Sequence, residues 1–82
     1  MTNLYSGVIE ADTHQTLASK TGVTFTEGTT YTIQIRGIAY LREGTTGTGF
    51  YVDKSDPIEY TANSDDLYIK TLAPQCIVNI AG

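Results

Sequence analysis

The chain has 82 residues, with five lysines and arginines against nine aspartates and glutamates, and a formal net charge of −4. This length corresponds to a single domain, residues 1–82, which hides roughly 60–65% of its unfolded surface and so builds only a thin core. The acidic balance argues against a nucleic-acid partner, because binding phosphate requires a Lys/Arg surface that replaces counterions.

The sequence also bears on membrane insertion, secretion and the cellular compartment. No run approaches the ~20 consecutive apolar residues of a membrane-spanning helix, so we expect no membrane partner. The start, Met1-Thr2-Asn3, lacks the basic and apolar segments of a secretory signal. The one cysteine, Cys76, lies in an apolar run and is interpreted as a buried core thiol of a protein made in a reducing cytoplasm.

The N-terminal third predicts short strands separated by turns. Residues 1–10 form either an edge strand or an arm, with Leu4, Tyr5, Val8 and Ile9 as apolar contacts for a partner. A turn at residues 12–15 follows, because an Asp side chain can hydrogen-bond the backbone two residues on. Residues 15–20 predict a weak strand around Leu17, and residues 23–26 predict another.

The clearest strand pattern lies within residues 29–41, where a second apolar run at residues 38–41 follows the first. Tyr31, Ile33 and Ile35 alternate with polar residues at a period of two, as in a half-buried strand. Gly37 interrupts the alternation, as a bulge or bend does. The glycine-rich residues 42–49 follow, and we interpret them as an exposed, mobile hairpin tip.

The C-terminal half continues the alternation in shorter runs. Strands are expected at residues 50–52, 58–61 and 67–70, with Phe50, Val52, Leu67 and Ile69 inward. Turns fall at residues 54–57, 63–66 and 73–74. The last strand, residues 75–81, has apolar side chains on both faces, which predicts that an interior position or another subunit covers it. About seven short strands result, so the fold class is all-β, a small antiparallel β-sandwich or barrel.

Chemical motifs are weak. The acid pairs Asp53/Asp56 and Asp65/Asp66 are interpreted as turn-forming residues, because their spacing lacks the alternating ligands and glycine of a calcium loop. Four serines could formally pair with His14, but none lies in a G-x-S-x-G elbow. We therefore predict no catalytic, metal-binding or cofactor-binding residue, and no enzymatic activity.

The tyrosines are the best candidates for a binding surface. Tyr51 and Tyr68 each lie between two residues expected to point inward, so both should project outward. Outward tyrosines anchor a protein partner or a sugar ring with little loss of entropy. The alternative interpretation is ordinary pairing with neighbours on the sheet surface.

The C-terminal third, Tyr60-Thr61-Ala62-Asn63-Ser64-Asp65-Asp66-Leu67-Tyr68-Ile69-Lys70-Thr71 and then Cys76-Ile77-Val78-Asn79-Ile80-Ala81, resembles the end of small virion-associated β-domains of tailed bacteriophages. These are head-decoration, head-fibre-type and short tail-associated proteins. The strand Tyr31-Thr32-Ile33-Gln34-Ile35 and the segment Gly47-Thr48-Gly49-Phe50 fit the same style.

The resemblance implies a structural protein that is made in the host cytoplasm and located in the virion. It implies many copies, often as homo-oligomers, bound to the major capsid protein or another virion protein. Two alternatives stay open. One is a carbohydrate- or receptor-binding module of a tail or fibre, using Tyr51, Tyr68 and the tip at residues 44–49. The other is a small inhibitor of a host enzyme.

Overall fold

The computed structural model describes residues 2–44, 49–52, 57–72 and 75–82, without the side chain of Phe50. Residues 45–48 of the expected tip lie outside these residues, whereas its residues 42–43 belong to a strand and not to a loop. Most of the turn at residues 54–57, the turn at residues 73–74, the pair Asp53/Asp56 and the inward position of Phe50 also lie outside them. The elements in chain order are β1 (Asn3–Ile9), β2 (Gln15–Thr16), α1 (Leu17–Thr21), β3 (Thr30–Arg36), β4 (Ala39–Glu43), β5 (Phe50–Val52), β6 (Ile58–Thr61), β7 (Leu67–Thr71) and β8 (Cys76–Ala81).

The strands form two antiparallel four-stranded sheets, which confirms the all-β class and selects the sandwich over the barrel. Sheet A has the order β1-β8-β3-β6, and sheet B has the order β2-β7-β4-β5. Residues 1–10 therefore contribute an edge strand and not an arm, because β1 pairs with β8 from Asn3↔Ala81 to Ile9↔Cys76.

The core lies between the sheets and follows the alternation. Sheet A supplies Tyr31, Ile33 and Ile35 from β3 and Cys76, Val78 and Ile80 from β8, all buried. Sheet B supplies Ala39 and Leu41 from β4 and Leu67 and Ile69 from β7. Val52 is buried too, as expected. Period-2 burial of this kind is what holds each strand in register, since a one-residue slip would turn the apolar side chains to solvent.

Gly37 marks the point where the long central stretch changes sheets. Its φ is +129°, a conformation that side chains disfavour, and a Cβ built there would lie 2.9 Å from the Cys76 sulfur. The expected bulge or bend is therefore a crossover: β3 ends in sheet A, and β4 begins in sheet B after two intervening residues.

Of the two strands predicted between β1 and β3, one is wrong in part and the other is wrong. Residues 15–20 form only the two-residue strand β2 and then α1. The Thr16 hydroxyl caps this helix by accepting a hydrogen bond from the Ser19 N–H at 3.3 Å, and Gly22 ends it at φ +76°. Residues 23–26 form no strand, although Val23 is buried there and the Phe25 ring packs edge-on against Tyr31 at 4.9 Å.

The Tyr31 hydroxyl holds this non-strand segment on the core. It accepts a hydrogen bond from the Thr26 N–H at 2.7 Å and donates to the Thr24 carbonyl at 3.4 Å. We expect Tyr31→Phe to lower the free energy of unfolding by about 1 kcal/mol, because the Thr26 N–H loses its partner. Urea unfolding of both proteins measures the difference, and equal stability would show that water replaces the hydroxyl without cost.

Candidate functional site

The structure separates the six residues predicted to meet a partner. On β1, Leu4 and Val8 point outward with 41% and 53% of their surface exposed. Tyr5 is half-buried against the core and Ile9 is buried within it, so these two expected contacts face the wrong way. Tyr51 is 67% exposed and Tyr68 is half-buried, both on the outer face of sheet B.

Four of the exposed large apolar side chains lie at one end of the sandwich, which we call the apolar end: Val8, Ile38, Leu72 and Ile77. Val8 pairs with Ile77 across the outer face of sheet A. Ile38 lies in the crossover between the sheets, and Leu72 follows β7 directly. Leu4 is exposed at the opposite end of β1, where the register with β8 shifts between Asn3 and Tyr5.

Backbone contacts fix the shape of the apolar end. The Leu72 N–H donates to the Ile38 carbonyl at 3.0 Å, and the Cys76 thiol donates to the same oxygen at 3.2 Å. Burial raises the pKa of the Cys76 thiol above its ordinary value, so this group stays protonated and serves as a donor at neutral pH. The Thr71 hydroxyl accepts from the Ala11 N–H at 3.0 Å, which ties the chain after β1 to the end of β7.

Sequence reasoning missed Ile38, Leu72 and the exposure of Ile77. β8 does occupy an interior position in sheet A, but its outer face is not covered within the described chain, and 44% of the Ile77 surface is exposed. Alternation alone indicated that Ile77 points away from Cys76 and Val78. It could not indicate that strand ends from both sheets meet at one place.

A second surface lies on the outer face of sheet B, and we call it the tyrosine face: Tyr40, Arg42, Tyr51, Tyr68 and Lys70. The register sets these side chains in adjoining rows, with Tyr40 opposite both Tyr51 and Lys70, and Arg42 opposite Tyr68. From the sequence only Tyr51 and Tyr68 were predicted. The periodicity of one strand does not show which residues of a neighbouring strand lie beside it, so Tyr40, Arg42 and Lys70 were not predicted to join this surface.

The rings of the tyrosine face are held by edge-to-face contacts. The Tyr40 ring lies 5.0 Å from the Tyr51 ring and 5.7 Å from the His14 ring, measured between centroids. The Arg42 guanidinium carbon lies 5.8 Å from the centre of the Tyr68 ring. Burial, together with the positive charges of Arg42 and Lys70, lowers the pKa of His14, which is therefore neutral at pH 7.

The acid pair Asp65/Asp66 lies in the turn before β7, as predicted, and backbone hydrogen bonds hold that turn. The Asn63 side chain accepts a hydrogen bond from the Asp65 N–H at 2.8 Å, and the Asp66 carbonyl accepts from the Gly44 N–H at 2.8 Å. A cleft of about 190 Å³ lies beside this turn, lined in part by Phe25 and Tyr60. Among the described residues, no three His, Cys, Asp or Glu side chains are grouped as metal ligands.

No protein-family model matches the chain, and neither a curated protein nor a solved structure was found to match it. The described helix is too short to cross a membrane. The functional proposals below therefore rest on the apolar end and the tyrosine face.

Proposed function

We propose that this chain is a non-enzymatic structural protein of a phage particle that binds the outer capsid in many copies through its apolar end. The observation that supports this proposal is the grouping of Val8, Ile38, Leu72 and Ile77 at one end of the sandwich. Single exposed apolar residues are ordinary, whereas a group of them marks a surface that a partner covers.

Most of the described acids outside the strands' interiors lie away from the apolar end. Four of them are at the opposite end, where β3 and β7 begin and β4 ends: Glu27, Glu43, Asp65 and Asp66. Two others, Glu10 and Asp12, flank Ala11 and lie beside the apolar end as part of its polar rim. An acidic outer end keeps bound copies soluble, and the apolar end faces the shell. Repetition on a lattice, and association of copies as homo-oligomers, lets a small contact act with avidity.

The experiment uses capsids from the source that lack the chain, to which recombinant protein is added. Val8→Lys and Ile77→Lys are expected to lower the bound copy number on the order of tenfold, because the lysine ammonium would lose its hydration where an apolar side chain met the partner. Leu4→Lys is the matched control, since it places the same charge at an exposed apolar position at the other end of β1.

Quantitative mass spectrometry of purified particles measures the copy number. A fixed ratio of the parent protein to the main shell protein, lost only in the apolar-end variants, would support decoration of the capsid. Equal losses for Leu4→Lys would contradict the assignment of the apolar end. Absence of the parent protein from particles would overturn the proposal altogether.

A further inference from the structure

The tyrosine face has a charge opposite to that of the protein as a whole. Among the described residues, the side chains pointing outward from β4, β5 and β7 include two cations, Arg42 and Lys70, and no carboxylate. Neither cation forms an ion pair with a described residue, and the Nε of Arg42 is shielded from solvent without a hydrogen-bond partner there. An uncompensated positive face on an acidic protein is complementary to an anionic ligand.

The same face offers fixed aromatic surface. Tyr51 is 67% exposed. Its ring packs in a T-shaped contact with the Tyr40 ring, and the Tyr40 ring packs in the same way with His14. Beside these rings lies a shallow depression of about 210 Å³, lined by His14, Tyr40, Tyr51, Lys70 and Leu72. That volume is below the roughly 300–1,000 Å³ of a site that encloses a whole small molecule, so the depression suits one unit of a longer ligand.

From this combination we infer that the tyrosine face binds a polysaccharide that carries carboxylate groups. A sugar ring lies on the exposed face of Tyr51, as pyranose rings do on aromatic side chains. A carboxylate of the same or the next sugar then meets Lys70 or the planar guanidinium of Arg42, which can form two parallel hydrogen bonds. The occupant is a linear acidic glycan, because the surface is an open strip and not a closed pocket.

Charge density distinguishes this occupant from a nucleic acid. A nucleic acid carries a charge on every nucleotide and requires a track of Lys and Arg, whereas the tyrosine face presents two cations in neighbouring rows. An acidic peptide would need an apolar centre to gain comparable affinity, and only Leu72 borders the depression with an aliphatic side chain.

The test uses the full chain, with oligogalacturonate as the acidic probe and dextran as the neutral one. Amide and side-chain NMR spectra of the parent protein are expected to shift at Tyr40, Tyr51 and Lys70 with oligogalacturonate and not with dextran. Tyr51→Ala and Arg42→Gln should each weaken binding on the order of tenfold. Tyr51→Phe, which keeps the ring, and Arg36→Gln, which removes a cation from sheet A, should bind as the parent does.

Several outcomes would overturn the inference. Equal chemical-shift changes with dextran would show that the cations do not contribute to binding. Unchanged spectra at millimolar oligogalacturonate would show that this face does not bind an acidic glycan. Tighter binding of single-stranded DNA or of a poly-glutamate peptide would assign the face to those partners. The parent spectra decide the question even if Tyr51→Ala does not fold. The result is independent of capsid attachment, which is measured with Val8 and Ile77 variants.

Discussion

Leu17→Ala is expected to lower the free energy of unfolding by about 3 kcal/mol, within the 2–5 kcal/mol typical of buried leucines. Leu17 is fully buried in the core, although it belongs to the five-residue helix α1 at the edge of sheet B. Alanine preserves the helix itself, because it is the best helix former. The loss therefore measures the packing of one side chain between the sheets.

Leu4→Ala is the matched control for Leu17→Ala. It removes the same atoms from a leucine that is 41% exposed in β1, so a loss below about 1 kcal/mol is expected. Urea unfolding followed by tyrosine fluorescence gives both values. Equal losses at the two positions would mean that α1 does not pack on the core as described.

Gly37→Ala is expected to destabilise the protein by roughly 2–4 kcal/mol, from two sources. The φ of +129° is strained for any residue with a Cβ, and the new methyl group would lie 2.9 Å from the Cys76 sulfur. That sulfur also donates to the Ile38 carbonyl, so moving it aside disturbs the crossover between the sheets.

Two further variants separate the sources. Gly28→Ala also has a positive φ, +86°, and no atom within 4 Å of the new Cβ, so it reports the strain of a positive φ without a clash. In the double variant Gly37→Ala/Cys76→Ala, the cost of adding the methyl group at position 37 should fall, because the sulfur is gone. Additive losses in this cycle would show that the methyl and the sulfur do not meet.

Much of the sandwich could be predicted from the sequence. Successive side chains of a strand point to opposite faces, so an alternating apolar pattern directly indicates which face is buried. The inward sides of β3, β7 and β8 were predicted from period-2 runs, and each is buried. The helix α1 was missed because five residues are too few to show a 3.6-residue period, and its capping residues resemble a turn. Phe25 was assigned to a strand on the strength of its apolar neighbour Val23, whereas ring packing and the Tyr31 hydroxyl hold it.

The candidate surfaces were less predictable, since both depend on which strands become neighbours. Tyr51 was correctly expected to point outward, but its partners on the tyrosine face come from β4 and β7. Ile9 was assigned to a partner because an N-terminal arm was an open alternative. Pairing with β8 places its side chain in the core.

The position of β8 between β1 and β3 determines when sheet A can form. Sixty or more residues separate each β1 position from its β8 partner, and β8 is synthesised after every other described strand. Until it emerges from the ribosome, β1 has no neighbour and the β3–β6 pair has an open edge. We therefore expect folding on the slow millisecond-to-second scale of non-local β-proteins, and a nascent chain that depends on chaperones to keep these edges apart.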